Sequence, residues 1–490
     1  MELQFNEVTY PCLRTIMSQV RNEELTQELR LPDGMPDVGR ILGCWAMPLV
    51  RGKEWRRGGM NVSGGCQVWV LYAPEDGTEA QSLESWMPFQ LKWDFADTDH
   101  DGVIQVSCLC GFADARTVSA RKLMLRVGVS AMGDAWLSGK ATVYSPGEVP
   151  EDVQLLKRNY PMRLPVEAGE KAFSVEEPLN VPSDLEKIIR YCLQPELIDQ
   201  KVMAGKVVFR GMLLGHILYR NQSGDCKTWD FEVPFSQYAE LEKDYDSEAE
   251  PMVTLCLTGA ELDREGEQGI TLKAGLTGQY VICDRPVIEL VEDAYSPCRD
   301  VALRQQDLDL PAILDNRREN VRIEKPWEGT AGVLDAAFYG EQPVKRQGSD
   351  GVCLELSGQF QVLSVDPEGK LQGQTFPWNA DMTLPADPDT AVWAVLNPTG
   401  KVTADTSLKA DAAVQTVTAS GKEIPMVTGL ELGEKRQPDA SRPSLILQRC
   451  REQSLWQLAK TCGSTVEAIC QANDLTAEPE RGRMLLIPIP

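Results

Sequence analysis

The sequence predicts a mainly β protein: three tandem β-rich repeats, each a small sandwich or open barrel, followed by a small βααβ unit. Three observations carry this. First, the segments MNVSGGCQVWVLY (60–72), KVVFRGMLLGHILY (206–219) and GVCLELSGQFQVL (351–363) all alternate apolar and polar residues around a glycine. Those glycines, Gly64, Gly211 and Gly358, lie 147 residues apart in each interval, and self-similarity at a fixed period marks repeated units. Second, each such strand is followed by a polar loop and an apolar-Pro-aromatic step: Met87-Pro88-Phe89, Val233-Pro234-Phe235 and Phe376-Pro377-Trp378. Third, the last 46 residues switch from a strand period to a helical one.

The elements follow in order. Within each repeat, β-branched alternating runs separated by Gly/Asp turns predict mostly antiparallel sheet with one solvated face. Later strands recur as LMLRVGV (123–129), ITLKAGL (270–276) and SLKADAAV (407–414). Tyr144-Ser145-Pro146 and Tyr295-Ser296-Pro297 close the first two copies. A short helical lead-in is expected at MPDVGRIL (35–42) and VPSDLEKII (181–189), with a degraded version at LPAILDNRRENVRI (310–323). A glycine in mid-strand marks a bulge or a close backbone approach, and at the three equivalent positions we expect the bulge. The boundaries are 1–150, 151–298 and 299–433 for the repeats, 434–444 for a polar linker with two prolines, and 445–490 for the terminal unit. The linker would let that unit move relative to the third repeat.

In the terminal unit, Leu445–Gln448 reads as a short strand. Ser454 and Gln457 form a capping box, in which each side chain satisfies an orphan amide at a helix start. Leu455, Leu458 and Ala459 then make one apolar stripe. Gly463 ends this helix, because glycine accepts the left-handed cap without a steric penalty. Ser464 and Glu467 are expected to form a second capping box, followed by a stripe of Val466, Ile469 and Cys470. Met484–Ile487 returns as a strand. Neither helix is stable alone at this length, so both need a sheet to pack on.

The residues SLWQLAK (454–460), Gly463, STVEAICQAND (464–474) and LLIP (485–488) resemble the LysM domain, which grips N-acetylglucosamine chains of peptidoglycan or chitin. That family carries a Gly-Asp-Thr loop before its first helix, with backbone that contacts the sugar. Here Glu452-Gln453-Ser454 stands in its place, and losing glycine restricts how closely backbone approaches a ligand. A glycan site and a scaffold rebuilt to hold a protein are therefore both open. The contact residues implied lie on two loops: Arg451, Glu452, Gln453, Ser454 and Leu455, then Asn473, Asp474 and Leu475. Trp456 is expected half buried, with core packing as its plain role.

Upstream, the PD-x-x-x-I lead-in, the glycine-centred strand ending in LY and the apolar-Pro-Phe step resemble the SPOCS (spore coat assembly) domain of endospore-forming Clostridia. Three such copies followed by a LysM unit is the order of a clostridial coat-morphogenesis protein. The resemblance implies a mother-cell cytoplasmic protein that partners the stage IV coat ATPase and localises the coat basement layer at the forespore outer membrane.

Composition fits a non-enzymatic assembly scaffold whose β domains present edges and acidic faces while the LysM unit docks a partner. The net charge is −24, which makes nucleic acid and anionic lipid poor partners. Residues 445–490 hold five Lys/Arg and five Asp/Glu, so the whole excess lies upstream. The first residues have neither a basic start nor an apolar core, unlike a secretory signal, and no run reaches the apolar length of a membrane span. Fourteen scattered cysteines without a CxxC read as reduced core thiols, with Cys108 and Cys110 placed on one strand face. There is no P-loop, no H-E-x-x-H, no G-x-S-x-G and only two histidines, so no catalytic, cofactor or metal set is expected. Asp97-Thr98-Asp99-His100-Asp101-Gly102 has calcium-loop spacing, but Cys108 holds the twelfth position, where the bidentate glutamate belongs; an acidic turn is the simpler reading. The alternative function is a peptidoglycan- or chitin-binding wall or cortex protein.

Overall fold

A computed structural model describes residues 1–490 except 266–268, 309–311, 328–331, 349–350, 387–389, 421–423, 437–442, 451–452 and 490. The first stretch of strands is β1 (Glu2–Gln4), β2 (Asn6–Arg30), β3 (Val38–Arg56), β4 (Gly59–Pro74), β5 (Gln81–Asp94), β6 (Val103–Ser119) and β7 (Lys122–Ser145). The second is β8 (Gln154–Pro161), β9 (Leu164–Leu179), β10 (Leu185–Met203), β11 (Lys206–Asn221), β12 (Cys226–Glu240), β13 (Glu250–Glu265), β14 (Gly269–Asp284) and β15 (Val287–Tyr295). The third is β16 (Val301–Leu308), β17 (Ala312–Pro326), β18 (Gly332–Gly340), β19 (Val344–Gly348), β20 (Gly351–Val365), β21 (Leu371–Leu384), β22 (Ala391–Ala404), β23 (Ser407–Ser420) and β24 (Ile424–Leu432). The chain closes with β25 (Leu445–Arg449), α1 (Leu455–Cys462), α2 (Val466–Asn473) and β26 (Met484–Pro488).

All the sheets are open and antiparallel. The first stretch pairs β3-β4-β5 and β2-β7-β6, the second β10-β11-β12 and β9-β14-β13. In the third, β20 is flanked by β18, β19 and β21, while β23 lies between β17 and β22. The stretches interlock. β8 pairs β15, and β24 lies between β1 and β16, so the first strand of the chain joins a sheet of the third stretch. These ends meet the base of β7 around Val143, Ile288, Leu290, Leu308 and Met426. The largest core draws on the first two stretches and takes in Tyr339 and Leu363 from the third.

The expected lead-in helices are strands, and the reason is visible in the register. β3 slips between Val38 and Arg40 and again between Ile41 and Gly43. β10 slips between Leu185 and Lys187 and between Ile188 and Arg190. Each slip inserts a residue into the period of two, so the apolar side chains fall three apart and imitate a helix. Pairing with β4 and β11 then overrides local propensity. The third lead-in is likewise strand β17, paired to β23, with 310 and 311 outside the described residues. Helix occurs, among the described residues, only in the terminal unit.

The mid-strand glycines are sites of close approach. A Cβ on Gly64 would collide with the Phe89 ring and the Leu49 carbonyl, and one on Gly211 with the Phe235 ring and the Glu196 carbonyl. This explains why the Pro-Phe step accompanies the glycine: β4 sets Gly64 opposite Phe89, and β11 sets Gly211 opposite Phe235. The expected bulge lies on the other neighbour, between Val50 and Gly52 in β3 and between Leu197 and Asp199 in β10. At Gly358 the covering ring is Phe338, from β18 rather than from the Pro-Trp step.

Buried polar contacts tie the stretches together. Arg190 donates from Nε and Nη2 to Asp335 Oδ2 at 2.9 and 2.6 Å. His216 donates to the other oxygen of Asp335 at 2.9 Å and, from its second ring nitrogen, to Asp230. Burial alone would raise the Asp335 carboxyl, but attraction to Arg190 and the His216 bond hold it well below the usual carboxylate range. Burial would lower His216, and its two carboxylate partners instead raise it. The Arg190 guanidinium also lies 4.9 Å from the centroid of the Trp45 ring of β3.

Two predictions follow from this packing. Gly211→Ala should cost about 1–3 kcal/mol by overpacking, whereas Gly332→Ala, whose Cβ meets nothing within 4 Å, should be near neutral. Urea denaturation of both variants measures the contrast. The second concerns Asp134, which is buried against Trp393 and raised to about 7, first by desolvation. An acid raised in the folded state stabilises below its unfolded pKa of about 3.9, and that contribution is lost as pH rises through the folded value. Asp134→Asn should therefore gain on the wild type between about pH 4 and 7, by up to about 4 kcal/mol, and stay level above. A pH-independent difference would contradict this.

Candidate functional site

The terminal unit is built as its local signals require. β25 and β26 pair antiparallel from Leu445–Pro488 to Arg449–Met484. Ser454 caps α1 and closes a full capping box with Gln457, and Gly463 ends the helix in the left-handed region at φ 70°. Leu458, Ala459, Ile469, Leu485 and Ile487 are buried together. The second cap differs from expectation. Thr465, not Ser464, caps α2 by accepting from the Ala468 N–H. Ser464 is fully buried, and its hydroxyl donates to the Pro488 carbonyl, so it is not free to cap.

The unit is docked on β15, which runs against the movement expected of a polar linker. Trp456 Nε1 donates to Asp293 at 2.8 Å, and Lys460 Nζ donates to the same carboxylate at 2.7 Å. The Tyr295 hydroxyl donates to the Ser464 carbonyl at 3.0 Å, and its ring meets the Trp456 ring edge-on with centroids 4.8 Å apart. Burial, with Asp293 nearby, pushes the Tyr295 phenol up to about 12, so it stays a donor. The register of β15 breaks between Val291 and Asp293. Glu292, the intervening residue, pairs instead with Arg158 and Tyr160. At the linker's start Arg436 pairs with Asp300, and its N–H donates to the Cys298 carbonyl.

The loop residues divide in role. Arg451 and Glu452 lie outside the described residues. Gln453 is exposed, Ser454 is the cap, and Leu455 is buried with its N–H bonded to the Glu478 carboxylate at 3.0 Å. Glu478 thus ties the loop after α2 to the loop before α1. Asn473 is occupied internally: its amide donates to the Leu486 and Ile469 carbonyls and accepts from the Leu486 N–H. Asp474 is exposed in the left-handed region at φ 50°, and Leu475 packs on the unit's core. Sequence reasoning missed Asp293, Tyr295 and Glu478, because each acts across a distance in the chain that no local pattern records.

Asp97 of the acidic loop pairs with Arg57 at 2.7 Å. Among the described residues no group of three or more His, Cys, Asp or Glu is placed to hold a metal ion, and no helix is long and apolar enough to cross a membrane. Among the described residues no disulfide joins two of the fourteen cysteines. Four of them, Cys108, Cys110, Cys192 and Cys256, line a cavity of about 150 Å³ with Met47 and Tyr339. Burial pushes the Cys256 thiol up to about 11, which disfavours the nucleophilic thiolate. A cleft of about 370 Å³ between β11 and β18 contains Arg190 and His216, both bonded to Asp335, and Asp230, bonded to His216.

Residues 184–258 match the family model described as SipL, SPOCS domain. The match runs from the turn before β10 into β13. The matched segment therefore contains Gly211 with its Phe235 cover and the Arg190 and His216 that hold Asp335. No curated protein and no solved structure matches the chain.

The dock can be tested directly. Asp293→Ala leaves the Trp456 N–H and the Lys460 ammonium without their acceptor, and hydrogen bonds to charged groups contribute about 1.5–3 kcal/mol. The variant should show faster hydrogen exchange in α1 and faster proteolysis within 434–444, with exchange in β10 and β11 unchanged. Unaltered exchange in α1 would mean that the dock contributes nothing to holding the unit.

Proposed function

We propose that this chain is a non-enzymatic scaffold of spore coat assembly. In this reading three SPOCS-like units, 1–150, 151–298 and 299–433, form the body, and the LysM-like unit 445–490 docks a coat morphogenetic ATPase. The work is done in the mother-cell cytoplasm, at the forespore surface. The observation that carries the reading is the SPOCS match over residues 184–258. Three further features support it. The strand pairing of residues 164–284 has counterparts before and after it. Arg190, His216 and Asp230, which line the larger cleft, are bonded to one another through Asp335 and the imidazole. The backbone N–H at the start of α1, which lies beside the loop a LysM glycan would contact, is held by Glu478, and this favours a protein partner over a sugar.

Imaging in a sporulating host tests the proposal. Tagged full-length protein should encase the forespore, while a chain lacking 445–490 should spread through the mother cell and leave coat material misplaced. Full-length protein found in the medium or on the vegetative wall would overturn the reading.

A further inference from the structure

The two-stranded sheet of the terminal unit is apolar on both faces. Leu485 and Ile487 point inward and are fully buried. On the other face the register sets Leu445 against Pro488, Leu447 against Leu486 and Arg449 against Met484. Leu445, Leu447, Met484 and Leu486 are 51%, 62%, 49% and 38% exposed. The other exposed large apolar side chains of the described residues are spread over Met1, β2, β6, β10, β12, β15 and β19, as is ordinary for a protein surface. Four on one small sheet form a patch of the kind that marks an interaction site. The dock on β15 is made by α1 and Ser464 and leaves this face open.

We propose that this outer face is a docking surface for an apolar, acidic segment of a partner protein. The proposal rests on the docking role given above to 445–490 and names the face and the chemistry of its occupant. The argument is charge. The face carries no carboxylate, and its one ionic residue is Arg449, exposed at the end where it pairs with Met484. The rest of the chain carries the whole net charge of −24. Charges are screened over about 8–10 Å, so a short segment seated on the face meets Arg449 and little of the acidic body. A second copy would bring another acidic body alongside, and an anionic membrane would present an extended negative plane. Five residues of strand give a face about 17 Å long, which matches about three turns of helix in the partner.

The probe is the purified coat ATPase, titrated against the full chain by biolayer interferometry. Leu447→Glu combined with Leu486→Glu should weaken binding at least about tenfold, as at a hot spot. Arg449→Glu should weaken it about fivefold by reversing a complementary charge. Gln471→Glu, on the exposed side of α2, should leave it unchanged. Near-native circular dichroism in each variant confirms that the unit is folded. Wild-type affinity in the double variant overturns the face, and if deletion of 445–490 still abolishes the complex the docking role itself stands. No complex with the intact chain overturns both. Self-association in sedimentation velocity, or flotation with phosphatidylserine vesicles, that is lost in the double variant would assign the face to a second copy or to membrane and overturn the acidic-segment proposal.

Discussion

Asp335 is a carboxylate with no exposed surface, and the arrangement of the β body depends on how it is held. Its partners Arg190 and His216 come from β10 and β11, while Asp335 itself lies on β18. An unpaired charge at that depth would be strongly destabilising, so β18 can settle only where both partners reach it. A well-packed apolar trio could be as stable, which makes the ion pair's contribution one of placement rather than of net energy. Trp45 of β3 covers the guanidinium, and the Ala46 N–H donates to the Tyr339 hydroxyl at 3.0 Å. Strands from all three stretches therefore converge on one buried cluster. At the far end β1 pairs with β24, which closes the body a second time.

This interlocking bears on function through rigidity. β15 belongs to the second stretch, whose β10 and β11 supply Arg190 and His216, and it also presents Asp293 and Tyr295 to the terminal unit. The unit is thus held on the body by hydrogen bonds from Trp456 and Lys460 to Asp293 and from Tyr295 to Ser464, with an edge-on aromatic contact, instead of hanging from a linker. Such an arrangement suits a scaffold, which must present a docking face in a fixed direction. Asp335, His216 and Asp293 are each committed to partners in these contacts.

Much of the terminal unit was legible because its signals are local. Ser454 with Gln457 and the turn at Gly463 fix one helix within ten residues. The second cap was misplaced by one position, because Ser464 bonds the distant Pro488 carbonyl and leaves capping to Thr465. In the β stretches, alternation and the glycine–aromatic pairing exposed the strands. The lead-ins misled because bulges in β3 and β10 spread the apolar residues to a helical spacing. Of the eight loop residues chosen as contacts, Leu455 and Asn473 are used up inside the unit, which only the fold reveals. The outward leucines had a faint signal: MLLIP is apolar at consecutive positions, so a strand there must show an apolar face to solvent. Arg190 with Asp335, and Trp456 with Asp293, are separated by more than a hundred residues, and no periodicity connects them.

The central claim is that the three β stretches form one cooperative body. Native-state hydrogen exchange of the full chain across a urea series tests it most directly. The account predicts that the slowest amides of β4, β11 and β20 share one opening free energy and one urea dependence. Opening of β20 at lower urea than β4 and β11, with those two unaffected, would contradict it and describe separate units joined in a row.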